Sequence, residues 1–341
     1  MKSFFVSAMI VGAAMSVASP PTMRAQAIDP QCPAGTINSA NQPDNTEVAQ
    51  DACQKAIDLF KYLAPQLGVV LAGGNPTQGV SGTLGGLGHF SLGVRGNVLY
   101  ASLPQVDRVV PNPRGAQVST YGIDDQLIGF VTADVALGLF KGASGSGFGS
   151  VDVLVSGSYL PSFSNANVDI AVPSGSLKFG LGAKVGLLTE SATRPGISVS
   201  YLDRGLPTVS ITAKSGDDRL VLADLAVRSR SWRAVAGKSF LIFGIGGGFG
   251  QDRYDSNANI TVTVAPRQAT QGGTGGPIAL GQQMTRNNIF GTAWLNLKVF
   301  RLVGEIGRVT GGTIVTYNQF DAAYPADGTR TYGSVGISLG R

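Results

Sequence analysis

From residue 88 to the end of the chain, apolar residues recur at every second position. Phe90, Leu92, Val94, Val98 and Tyr100 alternate with Ser91, Gly93, Arg95 and Asn97. The same period runs through Leu127 to Leu139, Val151 to Tyr159, Leu177 to Leu187 and Ala293 to Val299. A period of two puts successive side chains on opposite faces of a sheet, so each run has one apolar face and one face of Gly, Ser and scattered charge. The runs extend over roughly 10–16 residues, beyond the mode of about 5–6 in soluble proteins and enough for the 9–11 of a tilted membrane strand. Charge decides which face is outside. Only 14% of residues are charged, against about 25% in soluble domains, so a soluble sandwich could not cover its exterior. The 43% apolar content excludes a disordered chain. An apolar face on lipid and a polar face around a lumen satisfy both constraints.

Residues 1–27 read as an export leader: Lys2, an apolar stretch from Phe4 to Ala18, and a small-x-small cleavage pattern at Ala25-Gln26-Ala27. The net charge of +5 falls by two when Lys2 and Arg24 leave, too little for a nucleic-acid partner. No segment is apolar over the 18 or so residues that a spanning helix needs.

One helix stands out before the alternation begins. Val48, Ala52, Ala56, Leu59, Phe60 and Leu63 recur at helical spacing within Thr46 to Leu67, with Pro65 and Gly68 expected to end it. Its stripe needs a surface to dock on, and residues 28–80 are therefore expected to form a helical plug or a periplasmic arm at the periplasmic mouth. The glycine-dense wall at 244–250 is the proposed packing surface for a plug. Cys32 and Cys53 form a disulfide in an exported chain. Two thiols and the single His89 supply too few ligands for a metal site, and no cofactor is expected.

The fold expected is all-β: a transmembrane antiparallel β-barrel of about 12 strands, with a range of 10–14, occupying residues 81–341. Candidate strands lie near 88–103, 126–140, 148–160, 175–189, 195–204, 207–215, 219–235, 239–252, 258–265, 285–299, 301–315 and 330–341. With a periplasmic N-terminus, short links fall on one side and the long stretches 104–125, 161–174, 266–284 and 316–329 on the other, as outer-membrane barrels arrange them. The leader, the helix, Asn75-Pro76 and an unbroken strand series resemble Gram-negative outer-membrane β-barrel proteins. The layout is similar to the long-chain fatty-acid outer-membrane transporter family, whose members plug the barrel with an N-terminal hatch and carry Asn-Pro-Ala before the strands. Here the third residue is Thr77.

No catalytic constellation emerges. His89 lies in Gly88-His89-Phe90-Ser91 without a hydrolase motif around it. Ala236-Gly237-Lys238-Ser239 ends like a phosphate loop, but Trp232 stands where its first glycine would be. The aromatics Tyr100, Tyr159, Phe179, Tyr201, Trp232, Phe249, Tyr254, Trp294, Phe300 and Tyr332 read as interfacial girdles. On the polar parity lie Arg95, Lys178, Lys184, Arg228 and Lys298, against Asp134, Asp152, Asp224 and Glu305; these are the expected lumen-lining residues. The chain is read as a non-enzymatic channel or passive transporter for small solutes, hydrophobic ones included, in contact with outer-membrane lipid. The alternative is a structural or surface-interaction barrel with a filled lumen.

Overall fold

The computed structural model describes residues 27–34, 45–75, 77, 81–105, 110–164, 168–267 and 272–340. Residues 1–26 of the expected leader and Pro76 lie outside them. The helix α1 (Asn45–Ala72) precedes fifteen strands: β1 (Phe90–Pro104), β2 (Thr120–Tyr121), β3 (Ile123–Phe140), β4 (Ser150–Tyr159), β5 (Phe163–Ser164), β6 (Val168–Ala171), β7 (Leu177–Leu188), β8 (Gly196–Gly205), β9 (Val209–Ser215), β10 (Asp218–Phe240), β11 (Phe243–Val264), β12 (Gly273–Asn296), β13 (Phe300–Thr310), β14 (Gln319–Phe320) and β15 (Arg330–Gly340).

Ten of them close an antiparallel ring in the order β1-β3-β4-β7-β8-β10-β11-β12-β13-β15, and β15 pairs back onto β1. Ten lies within the expected range of 10–14, and two of the twelve candidate segments add no strand to the ring. Segment 207–215 is β9, which pairs with the upper part of β10 but lies outside the ring. Segment 258–265 is the upper continuation of β11, which runs unbroken from Phe243 to Val264. Strand parity stays even, as antiparallel closure of a ring requires.

Links between β3 and β4, β7 and β8, β10 and β11, and β12 and β13 are short and lie at one end, which orients that end to the periplasm. Outward side chains form an apolar belt: Leu92, Val94, Leu137, Leu181, Val185, Ile245, Ile289, Leu302, Ile306 and Val335 are exposed. Phe90, Phe140, Phe240, Phe243 and Phe300 mark its lower rim, and Tyr100, Tyr159, Phe179, Tyr201, Trp232 and Phe249 its upper rim. Such a surface is stable only against hydrocarbon, and this chain is an outer-membrane-type β-barrel. Three expected girdle residues are corrected: Tyr254, Trp294 and Tyr332 are buried in the lumen. Glycines make room for them. Gly244 lies against the Trp294 ring and Gly307 against Tyr332, where a Cβ would clash.

The wall is uneven in height. Strands β10, β11 and β12 rise well above the aromatic rim, whereas β4, β7 and β8 end near it. Above Val131, β3 pairs with β1 but has lost β4. Across the gap, β10 recruits β9, then β6, and the sheet ends at β5. The upper wall is therefore interrupted over the short strands.

Helix α1 runs down the lumen from the outer end, correcting the expected placement at the periplasmic mouth. Its first turns meet Val264, and Ile57 meets Ile278, both on upper strand segments. Phe60, Ala56 and Ala64 pack on Leu225, Val227, Ala258 and Ile260. Val69, Val70 and Ala72 reach Leu99, Val235, Phe290 and Tyr332 at mid-barrel. The contact wall is thus not the glycine run 244–250, whose space is taken by Trp294 and Phe290. The Cys32–Cys53 disulfide ties the preceding segment to the third turn of the helix. Pro65 does not end the helix. It withholds the N–H that Lys61 C=O would accept, and Gln282 Nε2 donates to that oxygen instead at 3.1 Å.

Candidate functional site: a plugged lumen

The last four carbonyls of a helix lack intrahelical donors, and the macrodipole makes that end negative. The final turn of α1 contains no basic residue of its own. The barrel supplies three. Arg204 of β8 donates from Nη1 to Leu71 O at 3.0 Å and Gly73 O at 3.1 Å, and from Nη2 to Gly74 O at 3.3 Å. Arg233 of β10 donates to Ala72 O at 2.6 Å, and Arg95 of β1 to Gly73 O at 2.8 Å. Behind them stand the counter-charges: Asp134 lies 2.6 Å from Arg95, Glu305 3.3 Å and Asp252 3.9 Å from Arg233. Tyr332 donates to Glu305 at 2.9 Å and Asn288 to Asp252 at 2.8 Å. All six charged groups are buried, which is tolerable only because each is paired or hydrogen-bonded.

Below this clamp the connector continues down the lumen, held by polar contacts. Lys184 Nζ donates to Thr77 Oγ1 at 2.7 Å, Leu84 N–H to both Asp152 oxygens at 3.1 and 3.0 Å, and Ser198 Oγ to Ser81 O at 2.5 Å. Above it, two helix carboxylates hold the outer loops. Asp51 accepts from the N–H groups of Asn112 and Gln117, and from Lys55. Asp58 accepts from Tyr317 N–H, Asn318 N–H and Asn318 Nδ2. Burial pushes the Asp58 carboxyl above its ordinary range, opposed by these donors. Tyr62 stacks on Phe320 at 4.1 Å, closing the lid.

Of the expected lumen residues, Arg95, Asp134, Asp152, Lys184 and Glu305 are buried inside the barrel. Lys178 has the inward parity but sits exposed at the top of β7. Asp224 and Arg228 are corrected: both lie on the outside. A bulge between Ala223 and Ala226, with Asp224 at φ 54°, inserts one residue and exchanges the faces below it. Leu220 and Leu222 face in above the bulge; Val227, Ser229, Ser231 and Arg233 face in below it. Lys298 is corrected too. Strand β12 ends at Asn296, leaving Lys298 exposed on the periplasmic turn, where it lines a 360 Å³ cavity with Thr83, Ser91 and Arg301. Arg204, Arg233 and Asp252 were not singled out as lumen residues from sequence. In β10 both rows beside Arg233 are polar (Ser229 and Ser231 inward, Arg228 and Arg230 outward), so alternation does not tell the faces apart.

A second cavity, of 190 Å³, lies beside the plug at the level of the upper rim. Its walls are apolar throughout: Leu67 and Val70 of the helix, Ile128 and Phe130 of β3, Val209 and Ile211 of β9, Leu225 and Val227 of β10, closed by Leu160, Ile170, Leu206 and Pro207. It coincides with the interruption of the wall above β4, β7 and β8. Leu67, Ile128, Phe130, Leu160 and Ile211 retain partial exposure there.

No protein-family model and no curated protein matches the sequence. Among solved structures, the chain is similar to the outer membrane protease OmpT of Escherichia coli, at 13% identity and a TM-score of 0.37, covering 74% of this chain and 95% of that one. It is also similar to the outer membrane channel DcaP of Acinetobacter baumannii (9% identity, TM-score 0.18, 74% and 96% covered) and to an anion-selective porin from Comamonas acidovorans (9%, 0.16, 74% and 98%). The likeness is one of barrel architecture alone. It corrects the expectation of a non-enzymatic chain, because barrels similar to this one include a protease as well as channels. The layout shared with long-chain fatty-acid transporters gains no support from these barrels.

Proposed function

We propose that this barrel is a plugged passage that takes up small apolar solutes from the side, through the interrupted wall. The observation that carries the reading is the 190 Å³ apolar cavity between α1 and that interruption. A cavity of about 150 Å³ lined by Leu, Ile and Phe stays dry and admits benzene, so a single ring or a short alkyl segment is the solute class that this one suits. At the outer mouth, Asp51, Asp58 and Tyr62 bind the described loop residues across the lumen. Below the cavity lie the arginine clamp and the polar connector, so passage requires that the connector shift while the helix stays docked. Export through a cleaved leader belongs to the same reading.

A photoreactive phenyl azide, added to the protein in lipid nanodiscs, tests it. Labelling is expected on peptides carrying Leu67, Phe130 and Val227, and Val227→Trp should abolish it without loss of the folded barrel. Labelling confined to outward residues such as Leu181 and Val335 would refute the cavity as a solute site.

A further inference from the structure

On the outer wall, just above the aromatic rim, the register sets Arg230 of β10 directly opposite Arg253 of β11. Cβ atoms of such partners stand about 4.5–5.5 Å apart, and like charges there destabilise a sheet. Arg228, one outward position higher on β10, faces Asp255, and Asp203 of β8 faces Arg230. The two acids leave the group short of neutral. Asp203 is gripped by the fork of Arg228, at 2.7 Å from Nε and 2.5 Å from Nη2, and Arg230 Nε reaches it only at 3.7 Å. Arg230 and Arg253 share Asp255 at 3.5 and 3.6 Å, and neither Asp255 oxygen accepts a hydrogen bond among the described residues.

The height of this group is what gives it meaning. Below it, outward positions are Trp232, Gln251, Ala234, Phe249 and Ile245; above it they are Asn257 and Asn259, and Gln283 stands beside Asp255, where it accepts from Arg253 at 2.8 Å. Trp232 and Phe249 meet edge to face at 6.0 Å immediately beneath the arginines. Hydrocarbon ends and headgroups begin at this row. Guanidinium forks match phosphate oxygens two at a time. We propose that Arg230 and Arg253, flanked by Arg228, bind a phosphate of an outer-leaflet lipid headgroup, with the lipid chains against Trp232 and Phe249. The site is independent of the solute pathway.

Native mass spectrometry of the full-length protein, released from detergent with either dioleoyl phosphatidic acid or dioleoyl phosphatidylcholine, tests the assignment. Phosphatidic acid should be retained about tenfold more strongly than phosphatidylcholine, and Arg230→Gln with Arg253→Gln should remove that preference. Asp255→Asn keeps every arginine, withdraws the competing carboxylate, and should strengthen retention; it carries the test alone if the double variant does not fold. Equal retention of the two lipids, an unaffected double variant, or weaker retention in Asp255→Asn would overturn the proposal. Displacement by inorganic phosphate at equal concentration would also overturn it, by showing a site for free anions.

Discussion

Helix α1 and the connector that follows it fill the same lumen, yet opposite physics holds them. The helix is wedged by apolar area: Phe60, Ile57, Val69 and Val70 are buried against upper strand segments. The described residues of the connector pack one leucine, Leu84, on Ala136, Leu154 and Leu202, and otherwise hang on Arg204, Lys184, Asp152 and Ser198. Apolar packing is non-directional and lost gradually, whereas a buried hydrogen-bonded charge is lost all at once when its partner leaves. In the proposed passage the lower lumen is therefore the part that moves. The arginine clamp is the boundary between the two regimes.

The clamp gives the largest expected effect. Arg233→Ala removes the bond to Ala72 O and leaves Glu305 and Asp252 buried without their cation, which should cost about 3–5 kcal/mol in urea unfolding of the detergent-solubilised barrel. Phe60→Ala tests the apolar half: a cavity beside Val227 should lower stability by about 3 kcal/mol, without changing the access of a thiol reagent to a cysteine introduced at Ser198. If the two variants instead open the lower lumen equally, the division fails.

A smaller effect is expected where the helix touches the wall most closely. A Cβ on Gly68 would stand 2.6 Å from Cγ of Tyr254, so Gly68→Ala should destabilise by about 1–3 kcal/mol through overpacking. The gain in helix propensity, about 1 kcal/mol, is of the opposite sign. A stabilised variant would show that the helix rides loosely in the barrel.

The smallest effect sits at the outer lid and depends on pH. The folded Asp58 carboxyl titrates above its unfolded value of 3.8, so the folded state holds the proton more tightly. Its contribution is therefore most favourable below that value, declines as pH rises through the interval up to the folded value, and is constant above. Thermal midpoints of the native protein relative to Asp58→Asn should fall over that interval and then level off. A difference that rises with pH would show that the three loop donors outweigh burial.

Much of this was legible residue by residue. The facing of β1, β4 and β7 follows from alternation, so Arg95, Asp152 and Lys184 were placed inside. Cys32 and Cys53 were paired from compartment and number. The apolar stripe Val48, Ala52, Leu59, Phe60 and Leu63 announced a docking helix. What misled was local ambiguity. One inserted residue near Asp224 exchanged the faces of β10, and its alternating Ser and Arg could not reveal the slip. Helical spacing says nothing about the polar stripe of α1, whose Asp51, Gln54, Lys55 and Asp58 are buried under loops far along the chain. Pro65 read as a stop because its remedy, Gln282, lies 217 positions away.

The sequence by itself determined that this chain forms long two-faced strands with lipid outside, because side-chain period and charge content are properties of neighbouring residues. Only the tertiary structure decided that ten strands close the ring and that the plug descends from the outer end. It also decided that Arg95, Arg204 and Arg233 meet at one helix terminus. Each of those outcomes depends on contacts between residues distant in the chain, whose free energy exists only once the ring is closed around the helix.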